Sequence, residues 1–191
     1  VKVSLKSARG QYLSLAEVEV YGKKVVYENV ENVENVALDK PTHMSNIGWG
    51  GSASRAVDGN TSGIWGHGSI THTLRSTNPW WRVDLEGYYD IVYISIFNRV
   101  DCCSDRLKDF IVEITRGGST VWTYQYEGQP SITTKVDVKS GTIGDGVKVS
   151  LKSPGGQYLS LAEVEVYGKK VVYENVALDK PAHMPDIGWG G

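Results

Sequence analysis

The stretch between residues 41 and 109 carries most of the polar side chains that could do chemistry. His72 is followed, after 26 residues, by a run from Arg99 to Arg106 that reads Arg-Val-Asp-Cys-Cys-Ser-Asp-Arg. Each guanidinium group offers five N–H donors in one plane, and an imidazole adds a further donor or acceptor. If these groups converge, they can hold a small ligand whose hydroxyl groups point in fixed directions.

The same residues allow other chemistry. Either arginine could form an ordinary surface ion pair with Asp84, Asp101 or Asp105. Asp101 and Asp105 could also serve as the paired carboxylates of a glycosidase, although neighbouring arginines favour the ionised form over a poised acid. The spacing of His67 and His72 gives no support for a metal pair, and we reject that interpretation.

The two cysteines of the chain are neighbours, Cys102 and Cys103. Because they are adjacent, neither can link a distant strand. They either form a local bridge or remain as two free thiols in a reducing compartment, where exposed thiols beside a binding site would be prone to oxidation.

The composition limits the class of ligand. Of 191 residues, 40% are hydrophobic and 22% are charged, which is typical of a globular domain. The 20 basic and 22 acidic side chains form no block of like charge, which argues against binding to nucleic acid or an anionic bilayer through charge alone. No apolar run approaches the roughly 18 to 20 residues of a membrane span, and the first residues do not form a signal peptide. We expect a neutral or small ligand and a chain that is a segment of something longer.

The sequence repeats itself at both ends. Val1–Val30 recurs as Val147–Val176 with two differences, and Asn35–Gly51 recurs as Asn175–Gly191 with three. A repeat of this size predicts a tandem array of whole domains on short linkers. We expect 35–168 to be one complete domain, 1–22 the last strands of a preceding repeat and 175–191 the start of a following one, with linkers at 23–34 and 169–174. The terminal fragments are expected to be loosely ordered or to exchange with a neighbouring chain in a domain-swapped association.

Within the complete unit, apolar and polar residues alternate with the period of β-strands. Clusters of Gly, Pro, Asn and Asp separate these segments, and no amphipathic helix longer than a turn or two is evident. The pattern predicts an all-β fold, an antiparallel sandwich or jelly roll whose loops carry the function. The expected strands are 91–97, 110–114, 120–124, 134–138, 147–152 and 159–167, with a further buried strand at 81–85.

The spacing of His72, Arg99, Asp101 and Arg106, with Cys-Cys between the arginines, resembles the fucose-binding signature of the F-type lectins. The resemblance covers the whole unit and implies a discoidin-like jelly roll. It also implies a non-enzymatic module that binds terminal L-fucose on glycans. Further runs that look like this family are 35–41, 56–60, 80–85 and 161–166.

The resemblance assigns a role to each polar residue. His72, Arg99 and Arg106 would contact the axial hydroxyl, an adjacent hydroxyl and the ring oxygen of L-fucose. Asp101 would orient an arginine by pairing with it. These are the residues on which fucose recognition is expected to depend.

Apolar contacts to the sugar are expected from two sources. The resemblance implies a vicinal disulfide between Cys102 and Cys103 that presents a flat apolar face to the sugar ring, and a disulfide implies an oxidising, extracellular setting. The methyl group of fucose needs an apolar wall, for which we expect Trp65 first, then Trp49 and Ile47. Trp80 and Trp81 are expected in the core instead.

A calcium site is expected beside the binding site. The resemblance assigns to Ca²⁺ the carboxylates of Asp58 and Glu163, with main-chain carbonyls near Arg55, Asn60 and Ser69. The alternative is a plain Asp-Gly turn at Asp58. Asn60 also opens a glycosylation sequon, which we expect to be unused because a glycan there would crowd this loop.

We therefore expect a secreted lectin that recognises fucosylated glycans in adhesion or innate recognition, multivalent through its repeats. The main alternative is a discoidin-type module for phospholipid membranes or cell adhesion, with Trp49 and Trp65 as apolar spikes. Contact with membranes is otherwise expected only through surface glycans, and no contact with nucleic acid is expected.

Overall fold

The computed structural model describes residue 3 and residues 15–27, 33–175 and 180–182. The chain forms two compact units, Val1–Val26 with Val172–Gly191, and Tyr27–Val171. Most of the two terminal repeat fragments lies outside the described residues, so their predicted order and exchange stay predictions. The second unit holds every residue that the sequence assigns to a binding site.

The described residues form β-strands connected by loops and short 3₁₀ turns. Their pairings of known register are antiparallel, which confirms the all-β prediction. No helix in the described ranges is long and apolar enough to cross a bilayer. The strands are β1 Tyr21–Tyr27, β2 Glu34–Asn35, β3 Thr42–Met44, β4 Thr71–His72, β5 Trp80–Phe97, β6 Phe110–Arg116, β7 Ser119–Gln125, β8 Thr133–Asp137, β9 Ile143–Leu151, β10 Ser160–Leu161 and β11 Glu163–Asn175; the 3₁₀ turns are η1 Ala53–Ala56, η2 Trp65–His67 and η3 Ser104–Leu107.

The long strand β5 organises the sheets. Its first half pairs with β3 and β9, and its second half pairs with β8 and β11. The register with β9 shifts between Asp84 and Tyr89, where Glu86 has a φ of 56°. β-Bulges of this kind bend a strand, so one continuous strand replaces the two that the sequence predicts at 81–85 and 91–97.

The core lies between the inward faces of these strands. Trp81, Val83 and Leu85 alternate inward and are almost fully buried, as predicted. The indole N–H of Trp81 donates to the carbonyl of Ala53 at 2.9 Å, which fixes η1 to the core. Trp80 faces the other way and is half-buried beneath the Arg82 guanidinium, so its predicted place in the core is wrong because adjacent strand residues point to opposite faces.

The last predicted strand, 159–167, is two strands. Ala162 breaks the pattern and its N–H donates to the carbonyl of Phe97 at 2.8 Å. The short strand β10 turns aside to pair with β4, with Ser160 opposite His72 and Leu161 opposite Thr71. This small sheet sets His72 among the loops at one end of the fold.

Candidate functional site

His72 is the most deeply placed polar residue of the site, with 3% of its surface exposed. Its Nδ1 lies 2.6 Å from the carbonyl oxygen of Thr73, and its Nε2 lies 2.9 Å from Nη1 of Arg106. A carbonyl only accepts and a guanidinium only donates, so Nδ1 carries the proton and Nε2 accepts. Burial lowers the pKa of His72, and the charges of Arg106 and Arg99 lower it further. The imidazole is therefore neutral.

Arg106 is held by η3 and by an aromatic ring. The buried side chain of Leu107 anchors the turn, and the N–H of Arg106 donates to the carbonyl of Cys103 at 3.1 Å. The guanidinium carbon of Arg106 lies 4.5 Å from the ring centroid of Tyr158, a cation–π contact. The Tyr158 ring also packs 5.6 Å from that of His72. Sequence reasoning missed Tyr158, because the β4–β10 pairing that brings it here leaves no local signal.

Arg99 forms an ion pair with Asp101. Its Nε donates to Oδ1 at 2.6 Å and its Nη2 to Oδ2 at 3.3 Å. The main-chain N–H of Trp65 donates to the same carboxylate at 3.1 Å. The hydrogen bond from Arg99 is the main cause that holds the pKa of Asp101 below its ordinary value. Asp101 thus ties Arg99 to the loop that carries Trp65.

The backbone of Gly63 allows this loop to approach the Arg99 segment. The N–H of Val100 donates to the carbonyl of Gly63 at 2.8 Å. A Cβ at Gly63 would lie 2.7 Å from the carbonyl oxygen of Asn98, closer than two such atoms can sit. Glycine at this position is therefore required to bring Trp65 and Arg99 together.

Trp49 covers the site from a second loop. The N–H of Gly48 donates to the carbonyl of His72, and the N–H of His72 donates to the carbonyl of Gly51, so the loop clamps one edge of β4 through both main-chain groups of His72. Trp49 takes a φ of 48° and remains 63% exposed. Its ring centroid lies 4.8 Å from that of His72 in an edge-on contact.

These residues enclose a cavity of about 140 Å³ lined by Trp49, Trp65, His72 and Arg99. The ring centroid of Trp65 lies 5.7 Å from that of His72 in an edge-on contact, so the indoles of Trp49 and Trp65 both contact the imidazole. Ile47 is exposed and lies outside this lining, and so does Arg106, which contacts the lining residue His72. A larger cavity of about 350 Å³ beside Trp122 and the turn from Lys139 to Thr142 has one charged side chain in its lining, and no such group of donors converges there.

Cys102 and Cys103 form a disulfide, which confirms the bridge implied by the family resemblance. Cys102 is exposed and Cys103 is half-buried, with Cys103 in the left-handed conformation at a φ of 57°. The bridge lies in the chain between Arg99 and the η3 turn that carries Arg106. The cavity lining comes from other residues.

Of the residues expected to bind calcium, Glu163 contacts the turn that follows Asp58. The carboxylate Oε1 of Glu163 accepts the N–H of Gly59 at 3.0 Å, and Oδ1 of Asp58 accepts the N–H of Asn60 at 2.9 Å. The Asn60 side chain accepts from the N–H of Ser62, as in an Asx-turn. The Ser69 hydroxyl donates to the carbonyl of Ser62.

The buried carboxylate of Glu163 is only partly hydrogen-bonded. It is fully buried, and its Oε2 has no hydrogen-bond partner. Burial raises the pKa of Glu163 to about 7, with the nearby charge of Asp58 adding to the rise. A buried carboxylate is costly unless it is paired, protonated or bound to a metal. The described residues contain no cluster of three or more His, Cys, Asp or Glu that could hold a metal, so carbonyl oxygens would have to complete the site.

Comparison with known proteins gives consistent results. A family model described as a NedA-like, galactose-binding domain matches residues 55–170. Fucolectin-6 of Anguilla japonica is 37% identical over 124 residues, which are 60% of this chain and 62% of that protein, so the chain spans less than two thirds of this relative. Fucolectin-5 of the same species is 35% identical over 147 residues, 70% of this chain and 75% of that protein.

Among solved structures, the Streptococcus pneumoniae fucose binding module SpX-3 has a TM-score of 0.67 and 38% sequence identity. The match covers 70% of this chain and 96% of that module. The jelly roll, the bridged cysteine pair and these matches agree with one another. The chain belongs to the F-type lectin, or fucolectin, family.

Proposed function

We propose that the chain is a non-enzymatic lectin module that binds terminal L-fucose on glycans. The observation that carries the proposal is that neutral His72 and Arg99 line one small aromatic-walled cavity, and that Arg106 is hydrogen-bonded to His72. The Fucolectin relatives and the fucose binding module SpX-3 support the same ligand. Two cationic donors and one neutral acceptor suit vicinal hydroxyls of fixed direction.

Each group has a distinct task in this proposal. The free N–H groups of Arg99 and Arg106 would donate to sugar oxygens, and Nε2 of His72 would accept from a hydroxyl in place of the Arg106 N–H that it accepts in the structure. Asp101 holds Arg99 in the productive orientation. The indoles of Trp49 and Trp65 would contact the sugar methyl group and ring C–H bonds, while Tyr158 supports Arg106 from behind.

The disulfide supports two further parts of the proposal. Its exposed sulfur at Cys102 would offer an apolar face to a sugar seated between the two arginines. Disulfides persist in oxidising compartments, so the bridge favours a secreted, extracellular protein.

The repeated segments at both ends favour several modules in one protein, which would raise avidity by roughly 100- to 10,000-fold on crowded glycans.

Calcium is the metal that we propose for the Asp58 and Glu163 site. The unpartnered, buried Oε2 of Glu163 supports a bound cation, because carboxylate and carbonyl oxygens are the ligands that Ca²⁺ prefers. When bound, the ion would neutralise the two carboxylates and hold the loop from Arg55 to Asn60 against β11. It has no part in sugar chemistry.

Catalysis is not part of the proposal. Asp101 is paired with Arg99 and its pKa is lowered, so it is ionised and unsuited to act as an acid. A turnover assay on aryl fucosides is expected to show no hydrolysis, and measurable release of the aryl group would contradict a lectin without activity.

Titration calorimetry with L-fucose tests the proposal. The variant Arg106→Gln removes a charged donor, which typically contributes about 1.5 to 3 kcal/mol, so affinity should fall roughly tenfold or more. Arg82→Gln, which alters a guanidinium stacked on Trp80 outside the cavity, is the matched control and should bind normally. Because fucose is uncharged, affinity should be nearly equal at low and high salt. A steep loss in salt, or an unaffected Arg106→Gln, would overturn the proposal.

A further inference from the structure

The side chain of Arg55 links the proposed metal loop to the sugar cavity. Its Cζ lies 5.7 Å from the ring centroid of Trp65, and the Cζ of Arg99 lies 5.2 Å from the same ring. Two guanidinium groups therefore contact one indole. Guanidinium groups bind aromatic faces through cation–π attraction, and Trp is the strongest partner.

The main chain at Arg55 is held in place by contacts of η1 with the core. Arg55 belongs to η1, where the side chains of Ala53 and Ala56 are buried and the Ala53 carbonyl accepts the indole N–H of core Trp81. Its Nη1 also donates to the carbonyl of Ile70 at 3.3 Å, two residues before His72. The main chain at Arg55 is thus fixed to the core, and its guanidinium group is hydrogen-bonded to the segment that leads into β4.

Trp65 in turn is coupled to Arg99 in two ways. The Trp65 ring contacts the Arg99 guanidinium, and the Trp65 main-chain N–H donates to the carboxylate that orients Arg99. Trp65 is half-buried on a three-residue turn that has no side-chain cap, so its ring depends on neighbours for its position. Arg55 is the neighbour that is anchored outside the cavity.

We propose that Arg55 is a positioning residue for the sugar site, which sets the Trp65 indole and through it the Arg99 head. The inference rests on the proposed function for its ligand but concerns a residue outside the cavity lining. It assigns to the Arg55 side chain a role separate from the main-chain metal contact expected at the same residue. A displacement of η1 would then alter the cavity through the Arg55 side chain.

A double-mutant cycle on the full chain tests this role, with L-fucose as the probe in titration calorimetry. Arg55→Met should weaken L-fucose binding about three- to fivefold, as expected for a partly exposed cation–π contact. Arg55→Lys, which keeps a cation, should restore most of the affinity. Arg82→Met removes the comparable guanidinium contact with Trp80, at 5.8 Å, and should change nothing.

The decisive comparison is made in a Trp65→Leu background. If Arg55 acts through the indole, Arg55→Met should have no further effect there, whereas equal losses in both backgrounds would overturn the proposal and indicate a general effect on folding. A second readout needs no sugar: the Trp65 indole N–H resonance in NMR spectra should shift in Arg55→Met but not in Arg82→Met. An unmoved resonance would also overturn it.

If the wild-type chain fails to bind L-fucose, the proposed function is wrong. The Trp65 resonance would still decide whether Arg55 positions Trp65.

Discussion

The protonation state of His72 decides how the cavity can bind. With Nδ1–H committed to the carbonyl of Thr73, the lone pair of Nε2 is the one acceptor of the ring, and in the structure it accepts from Arg106. Protonation would place a third positive charge beside Arg106 and Arg99 and would break that hydrogen bond. The residue types alone left open whether His72 donates or accepts, because the answer comes from the Thr73 carbonyl that β4 presents.

Acid should therefore weaken both binding and folding through His72. Its pKa in the folded chain lies below the ordinary 6.5, so its contribution to the free energy of unfolding is full above about pH 6.5 and is lost as pH falls through the folded value. Calorimetric affinity for L-fucose is expected to be flat above pH 6.5 and to fall on acidification. In His72→Asn the affinity should be low at every pH, with this pH dependence gone. The control His67→Gln, at an exposed histidine, should keep the wild-type profile; an unchanged profile in His72→Asn would contradict the assignment.

Asp101 gives a second prediction for a single residue. Asp101→Asn removes the charge that aligns Arg99, and affinity for L-fucose should fall about tenfold, while the melting temperature changes little because the ion pair is partly exposed. Asp137→Asn breaks a more exposed ion pair with Lys135 on β8 and serves as the control. A large loss of stability with unchanged affinity would show that Asp101 serves the fold and not the site.

The strands carry the site by long-range pairing, and this limits what sequence can predict. Alternation located β5 to β9 to within a few residues, because apolar residues with period two need a buried face. The division into β10 and β11 escaped it, since Ala162 is as buried as its neighbours. The motif pointed to His72, Arg99 and Arg106 by type and spacing, whereas Tyr158 joins them through the β4–β10 register and the Arg55 contact through the fold of η1 and η2.

The loop that holds Trp49 can be tested by its glycine. A Cβ at Gly51 would lie 2.7 Å from the main-chain nitrogen of His72, so Gly51→Ala must push the loop away from β4. We expect a loss of about 1 to 3 kcal/mol in the free energy of unfolding by denaturant titration, together with weaker L-fucose binding. Gly155→Ala, where a Cβ meets nothing within 4 Å and the near-copy has Arg9, is the control. Wild-type behaviour of Gly51→Ala would contradict the clamp.

At the scale of the whole molecule, the proposed sugar cavity and the proposed calcium site lie on one scaffold and have separate tasks. The cavity is lined by residues from loops, η2 and β4, and Glu163 at the start of β11 faces the Asp58 loop. The net charge of −2 gives no long-range attraction to polyanions, so specificity has to come from the cavity itself.

Removal of calcium should lower the melting temperature of the chain. Binding to the folded state alone adds about 2.7 kcal/mol at a concentration 100 times the Kd, so the melting temperature should drop by about 5 °C or more when EGTA replaces Ca²⁺. In Glu163→Gln the difference between Ca²⁺ and EGTA should vanish, while Glu165→Gln on the same strand keeps it. Equal melting curves for the wild-type chain with and without Ca²⁺ would exclude the site.

The central claim is that His72, Arg99 and Arg106 read the directions of sugar hydroxyls, and the most direct measurement compares the two mirror images of fucose. L-Fucose and D-fucose have the same atoms, polarity and apolar surface, so only the fixed geometry of the cavity can distinguish them. Calorimetry on the full chain is expected to show saturable binding of one L-fucose at the cavity and no measurable binding of D-fucose at the same concentrations. Equal binding of both, or of neither, would contradict the account.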